Sequence, residues 1–296
     1  MQDIIIIGGG PAGMTAGIYA LRYKLSNMII TKVPGGTATE AHLVENYPGF
    51  PSLSGMDLMM KFKEHVEALG GTIVNDEARR ILKKEDHFVI EGEKTYEAKS
   101  VIIAAGSKRK KLNVKGEEDF LGKGVSYCAT CDGYFFREKT VCVIGGNESA
   151  ASAAAHLSQM AKKVYMVYSE LQAEPYWQEM INKDNIELVK DTVYEIKGEE
   201  TVKSVVLSER ELEVEGVFIE TGLIPPTELA GALGVNTEEG YIVVDEGQKT
   251  NIPGVFAAGD ITTGSGGLRQ IITSASEGAI AARSAFRYCS SSQKTF

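Results

Sequence analysis

The sequence predicts an α/β protein built from two Rossmann-like dinucleotide-binding domains, and three observations predict it. A short apolar run, Ile4 to Ile7, leads straight into the glycine turn Gly8-Gly9-Gly10-Pro11-Ala12-Gly13. The same order of strand, glycine turn and helix recurs at Gly145, 137 residues after Gly8. At 296 residues the chain also exceeds the size at which a single hydrophobic core stops growing.

The elements follow in order. Ile4 to Ile7 is apolar without alternation, the pattern of a strand covered on both faces of a parallel sheet. Met14 to Tyr23 has helical spacing, and Met28-Ile29-Ile30 is the next strand, which closes a β-α-β unit. In the second copy, Thr140 to Ile144, Ser149 to Met160 and Val164 to Tyr168 take the same three places. Between the copies, Val101 to Ala105 reads as a strand ending at Gly106, and near the C-terminus Gly254 to Asp260 is a similar strand with an acid at its tip. Alanine-rich and free of proline, the stretch from Ser274 to Phe286 predicts the last helix. The polar tail after Tyr288 is expected to fray, Phe296 with it, although a tail aromatic has the shape to stack on a flat cofactor ring.

Composition narrows the class. Hydrophobic content of 43% and charged content of 24% are ordinary for a soluble globular protein. No apolar run approaches the ~20 residues that span a bilayer, and the short N-terminal run lacks the basic flank of a signal peptide. A net charge of −9 argues against general nucleic-acid binding, which needs clustered cations. Four cysteines are too few for a secreted disulfide scaffold, so a reducing, cytoplasmic setting is expected. Cys142, in an apolar strand, reads as a core residue and Cys289 as a tail residue.

In the first glycine turn Gly8 makes the bend, Gly10 lets a pyrophosphate approach the backbone, and Gly13 lets helix pack on strand. The helix N-terminus then offers free N–H groups and the positive end of its dipole. The end of the second strand carries Thr31-Lys32 in place of the acid that usually holds an adenosine ribose, so ribose contacts must come from elsewhere, such as backbone groups of the 32–37 loop.

Cys128-Ala129-Thr130-Cys131 is either a redox pair or half of a zinc site. Zinc needs two more ligands, yet no second C-x-x-C and no H-x-x-x-H exists, so no metal is expected. Asp132, directly after Cys131, is suited to acid–base work on a thiol.

The stretch Cys128-Ala129-Thr130-Cys131-Asp132-Gly133 resembles the active site of the low-molecular-weight thioredoxin reductases, and the resemblance covers nearly the whole chain. Glu45-Asn46-Tyr47-Pro48-Gly49-Phe50 is similar to the family's flavin-side loop, Gly254 to Asp260 to its second FAD motif, and Arg269 to Ala275 to the segment covering the flavin. The resemblance implies FAD as cofactor. It makes Cys131 the thiol beside the isoalloxazine, Cys128 the one that attacks a thioredoxin disulfide, and Asp132 the acid/base. It implies FAD contacts at Gly8, Gly9, Gly10, Pro11, Ala12, Gly13, Gly35, Gly36, Asn46, Ala78, Gly106, Gly259, Asp260, Arg269, Gln270 and Ile271, with Asn46, Asp260, Arg269 and Gln270 on the flavin itself. Thr37 belongs to the same set but stands where the family usually has glutamine. The FAD domain is then discontinuous, residues 1–112 and 242–296, with a dithiol domain, 113–241, inserted. The family also implies a homodimer and a rotation of the domains about linkers near Leu112 and Tyr241.

The family's NADPH site needs G-x-G-x-x-A followed by a basic His-Arg-Arg cluster. Here the middle glycine is Asn147, Glu148 adds a negative charge, and the strand ends in Tyr168-Ser169-Glu170. All three changes weaken NADPH binding, so the resemblance narrows to the ferredoxin-dependent flavin thioredoxin reductases. Residues 107–115 hold five cations in nine positions, a patch suited to an acidic ferredoxin or to a solvated hinge. The alternatives are a nicotinamide-dependent reductase, NADH-linked through Glu170 on a ribose, or a flavoprotein redox sensor without catalysis. A ferredoxin–NADP reductase relative is disfavoured by the C-x-x-C.

Overall fold

The computed structural model describes residues 1–41 and 44–292. It divides into two compact units, Met1–Lys108 with Ile224–Phe296, and Arg109–Leu223. The crossings therefore fall earlier than the sequence suggested. Residues 224–241 join the first unit because Ala230 and Val235 are buried, with Leu229 and Leu233 beside them, in the cluster around Ile5, Ile7 and Ile30.

The first unit opens with β1 (Gln2–Ile7), α1 (Pro11–Arg22), β2 (Asn27–Thr31), α2 (Gly55–Ala68) and β3 (Thr72–Asn75), followed by β4 (Arg80–Lys83), β5 (Phe88–Glu91) and β6 (Thr95–Ile103). Strands β3, β2, β1 and β6 lie parallel in that order, and β5 and β4 continue the sheet antiparallel. Side chains alternate along a strand, so Ile4 and Ile6 pack with α1 and Val66 on one face. Ile5 and Ile7 pack with Ile81 and Phe88 on the other. Each such buried isoleucine contributes roughly 1.5–3 kcal/mol, and the double coverage explains the unbroken apolar run.

The second unit holds β7 (Val125–Ser126), the one-turn helix α3 (Ala129–Asp132), β8 (Thr140–Ile144), α4 (Glu148–Leu157), β9 (Lys163–Tyr168), β10 (Ile186–Lys190) and β11 (Gly216–Ile219). Its sheet runs β10-β9-β8-β11-β7, all parallel. Val141 and Val143 face the alanines of α4, while Cys142 and Ile144 face a three-stranded antiparallel sheet formed by 195–198, 202–206 and 211–213.

The chain returns to the first unit with β12 (Val255–Ala257), parallel to β6, and α5 (Ile271–Ser292). Helix α5 crosses α1 so closely that a Cβ on Gly278 would lie 2.1 Å from the Ala12 carbonyl oxygen. It extends past the predicted 274–286 at both ends, and the expected fraying from Tyr288 is not found up to Ser292. Cys289 is a core residue, 2% exposed, with its Sγ 3.6 Å from both Ser100 Oγ and the Asp3 carbonyl oxygen. The helical period turns it inward, a signal the polar neighbours hide. Phe296 lies outside the described residues. Among the described residues no helix is long and apolar enough to cross a membrane.

Candidate functional site

In the first unit the glycine turn divides its labour. A Cβ on Gly8 would sit 2.1 Å from the Ala104 oxygen, and one on Gly13 would sit 1.9 Å from the Gly8 oxygen, so packing alone requires both. Gly10 is different. A Cβ there would meet nothing nearer than the Gly35 oxygen at 3.9 Å, so this glycine keeps open the space before α1. Gly10 is also the N-cap of α1 and makes no side-chain cap, which leaves the first-turn N–H groups aimed at that space. Pro11 enters at the first helical position, where a missing N–H costs nothing, and Ala12 is buried against α5.

The loop after β2 folds over this turn. The Gly35 N–H donates to the Gly9 carbonyl at 2.7 Å, and a Cβ on Gly36 would lie 3.4 Å from Gly10 Cα. Thr37 follows on an exposed 3-10 turn. At the tip of β2, Lys32 pairs with Glu77 at 2.6 Å, and this bond holds the Glu77 carboxyl below its usual range. Ala78 is the next residue and is half-buried. Gly106 (φ +66°), just after β6, faces nothing within 4 Å.

The C-terminal segment closes the same cradle. Ser274 Oγ donates to Asp260 Oδ1 at 2.9 Å. One turn further along α5, buried Glu277 accepts from the Gly259 N–H (2.7 Å), the Thr262 hydroxyl (3.0 Å) and the Ser265 hydroxyl (2.5 Å). Asn46 Nδ2 donates to Gln270 Oε1 at 3.0 Å across 224 positions of sequence. The Arg269 guanidinium lies over the Tyr241 ring at 4.0 Å, a cation–π contact, and its buried Nε has no hydrogen-bond partner among the described residues. Ile271 packs at the edge of the Val44, Leu58 and Met59 cluster. An uncapped helix N-terminus, open space at Gly10 and Gly106, and an unanswered buried Nε are what a dinucleotide such as FAD would fill.

In the second unit Cys128 and Cys131 are joined as a disulfide. Cys128 is the N-cap of α3, and the Cys131 N–H points at its Sγ at 3.2 Å. The Asp132 N–H closes the turn on the Cys128 carbonyl at 3.0 Å. Ser126 Oγ donates to Asp132 Oδ2 at 2.6 Å and accepts the Cys128 N–H at 3.0 Å. Buried Glu117 accepts from the N–H groups of Leu112 (2.9 Å) and Asn113 (2.6 Å) and from the Tyr127 hydroxyl, so it ties residues 112–113 to the strand before the dithiol.

The second glycine turn is as tightly packed as the first and differs from it at the helix start. A Cβ on Gly145 would lie 2.3 Å from the Glu220 oxygen, and one on Gly146 would lie 1.8 Å from the Glu170 oxygen. Asn147 Oδ1 accepts the Ala150 N–H at 2.9 Å as N-cap of α4. Its side chain thus does more than fill space: it takes an N–H that a phosphate would need. Glu148 is exposed in the first turn, Glu220 accepts from Ser149 Oγ at 2.7 Å, and Glu170 accepts from Gln172 Nε2 at 3.2 Å. In the basic run 107–115, Lys111 pairs with Glu118 (2.5 Å) and Lys115 with Glu195 (2.6 Å), while Lys108 and Lys110 are exposed.

The residues the sequence reading missed are Ser126, Glu117, Tyr241, Ser274 and Glu277. Ser126, Tyr241, Ser274 and Glu277 each touch a residue that has a motif, and Ser274 lies within the 269–275 segment itself, whereas Glu117 touches only Leu112, Asn113 and Tyr127.

The family model for pyridine nucleotide-disulphide oxidoreductases matches residues 2–278. A thioredoxin reductase of Listeria innocua is 42% identical over 301 residues, covering 97% of this chain and 94% of its own length. The crystal structure of a thioredoxin reductase from Streptococcus pyogenes is 39% identical with a TM-score of 0.91, covering 98% of this chain and 99% of its own. A ferredoxin-flavin thioredoxin reductase from Clostridium acetobutylicum is 34% identical with a TM-score of 0.56, covering 99% and 98%.

Proposed function

The chain belongs to the pyridine nucleotide-disulphide oxidoreductase family as an FAD-carrying disulfide reductase of the thioredoxin reductase type, and we propose that its electrons come from reduced ferredoxin rather than a nicotinamide. The observation that carries the donor assignment is Asn147. Its side chain consumes the Ala150 N–H at the helix start where a pyrophosphate would bind. Glu148, Glu170 and Glu220 add negative charge around the same turn, which repels phosphates. By contrast Gly10 leaves α1 uncapped. A ferredoxin-flavin enzyme stands among the similar structures, while the Listeria and Streptococcus thioredoxin reductases match this chain more strongly, so the donor assignment rests on the second glycine turn. The 107–115 run contributes less, given its internal ion pairs.

In this proposal Gly8 to Gly13, Gly35 to Thr37, Ala78 and Gly106 surround the adenosine and pyrophosphate, and Asn46, Gly259, Asp260, Arg269, Gln270 and Ile271 hold the flavin end. When bound, FAD supplies two-electron reduction of the dithiol and can collect those electrons singly from a one-electron donor. Cys131 is the sulfur on the flavin side. In the reduced pair the Cys131 N–H stabilises a thiolate at Cys128, which suits Cys128 as nucleophile. That thiolate attacks one sulfur of the substrate disulfide, forming a mixed disulfide as the substrate S–S bond breaks. Cys131 then attacks the Cys128 sulfur, re-forms the pair and expels the second substrate thiolate. Overall the two thiol hydrogens of the reduced pair end on the two product thiols, with Asp132 as the acid/base that relays them.

Anaerobic reduction of the yellow protein, with flavin absorbance followed against NADPH, NADH and reduced ferredoxin in parallel, tests the donor. Bleaching by ferredoxin with no fast bleaching by either nicotinamide is expected. Fast bleaching by NADH or NADPH would overturn the donor assignment and leave the disulfide reductase intact.

A further inference from the structure

We infer that Ser126 is a positioning residue for the exchange reaction, holding Asp132 by Oδ2 so that Oδ1 is the oxygen that handles the proton. The inference rests on the reading of Cys128, Cys131 and Asp132 as the exchange site. The geometry gives the two carboxylate oxygens different lives. Oδ2 accepts the Ser126 hydroxyl at 2.6 Å. Oδ1 is buried and accepts nothing among the described residues. A buried carboxylate oxygen without a donor is a poor resting state, relieved when it gains a proton or faces an S–H.

Ser126 is itself fixed from two sides. It sits on β7, the edge strand that pairs with β11, and it is 5% exposed. Its Oγ accepts the Cys128 N–H at 3.0 Å, which leaves the hydroxyl hydrogen to be donated to Asp132. One side chain therefore sets both the backbone of the nucleophilic cysteine and the orientation of the acid/base. The attack on a substrate disulfide releases a thiolate that must be protonated, and a carboxyl presented by Oδ1 delivers that proton while Oδ2 stays bound to Ser126.

Other titratable groups stand nearby. His156 on α4 comes within 3.8 Å of the space beside Gly133, Tyr134 follows on the next turn, and Glu117 reaches the segment through Tyr127. No hydrogen bond joins any of them to the Asp132 carboxylate.

The test uses the full-length FAD-loaded protein, reduced anaerobically, as wild type, Ser126→Ala, Ser126→Thr, Asp132→Asn and His156→Gln. The readout is the rate of iodoacetamide alkylation of the dithiol against pH, with fluorescence of Trp177, the one tryptophan and a residue of the second unit, reporting an intact fold there. Ser126→Ala removes the donor to Oδ2, so the Asp132-dependent limb should move to higher pH in that variant. Ser126→Thr keeps a hydroxyl and should restore the wild-type limb; if Ser126→Ala unfolds the second unit, Ser126→Thr with a wild-type profile beside an absent limb in Asp132→Asn carries the inference. A Ser126→Ala profile that superimposes on wild type, while Asp132→Asn displaces it, overturns the role of Ser126 alone. A limb unchanged in Asp132→Asn overturns the exchange-site reading and this inference with it, and a limb lost only in His156→Gln assigns the proton to the histidine instead.

Discussion

Glu277 is the residue on which the 259–265 loop hangs, and replacing it by alanine is a severe and local test. The carboxylate is 4% exposed and receives three hydrogen bonds, from Gly259, Thr262 and Ser265. Those three donors are not equal. Ser265 is exposed, so water can replace the carboxylate there at little cost. The Thr262 hydroxyl has a second acceptor at 3.0 Å, the Gly259 carbonyl, and can turn to it. The Gly259 N–H is left buried and unpaired. A hydrogen bond to a charged group contributes about 1.5–3 kcal/mol, and an unsatisfied buried donor costs about 1–3 kcal/mol. With partial rescue of Thr262, Glu277→Ala should destabilise the first unit by about 2–4 kcal/mol. Two units need not unfold together, so the probe must belong to the first one, and release of flavin fluorescence serves. With a urea dependence of about 2 kcal/mol per molar, the release midpoint should fall by about 1–2 M. Glu277→Gln keeps one acceptor oxygen and should fall between. An alanine variant that releases flavin at the wild-type midpoint would refute the reasoning, because Glu277 would then be ornamental to the loop bearing Asp260.

Acid should expose a second carboxylate. Asp76 is held at about 2, below its ordinary 3.8, first by the Glu93 N–H and then by the Tyr96 hydroxyl and the Lys94 and Glu77 N–H groups, which together outweigh the effect of burial. A depressed folded-state value means that the stabilisation is present above the unfolded value of 3.8 and is lost as pH falls towards 2. Flavin release titrated from pH 4 to pH 2 should therefore be flatter in Asp76→Asn than in wild type, and equal slopes would contradict the assignment. The thiols give a simpler count. Cys142 and Cys289 are 0% and 2% exposed, and burial raises both thiols above their usual range. Reduced native protein should show two fast thiols with a chromogenic disulfide reagent, and four in denaturant; a third fast thiol in the native protein would show one of these cysteines to be accessible.

Both strand–turn–helix repeats, the dithiol, and the contrast between Gly10 and Asn147 were readable along the chain. Each is a local pattern: an apolar run, a glycine where the backbone must bend, a cap three residues before its N–H. The reading went astray where a polar surface masks an inward face, as at Cys289, and where a boundary depends on which core claims a segment, as for residues 224–241. Nor does a sequence reveal that Glu118 and Glu195 come to meet Lys111 and Lys115, two of the five cations from 107 to 115.

Fold class, a dinucleotide site and a reactive Cys128–Cys131 pair follow from residue types and short spacings, because backbone geometry and thiol reactivity are set within a few residues; FAD and the separate roles of the two cysteines came through the family resemblance those motifs carry. Orientation is another matter. That Asn46 meets Gln270, that Ser126 grips one oxygen of Asp132, and that Arg269 rests on Tyr241 depend on how helices and loops pack against the sheets. Hydrogen bonds fade steeply beyond a few tenths of an ångström from their optimum. Only folding brings partners from distant parts of the chain to that distance.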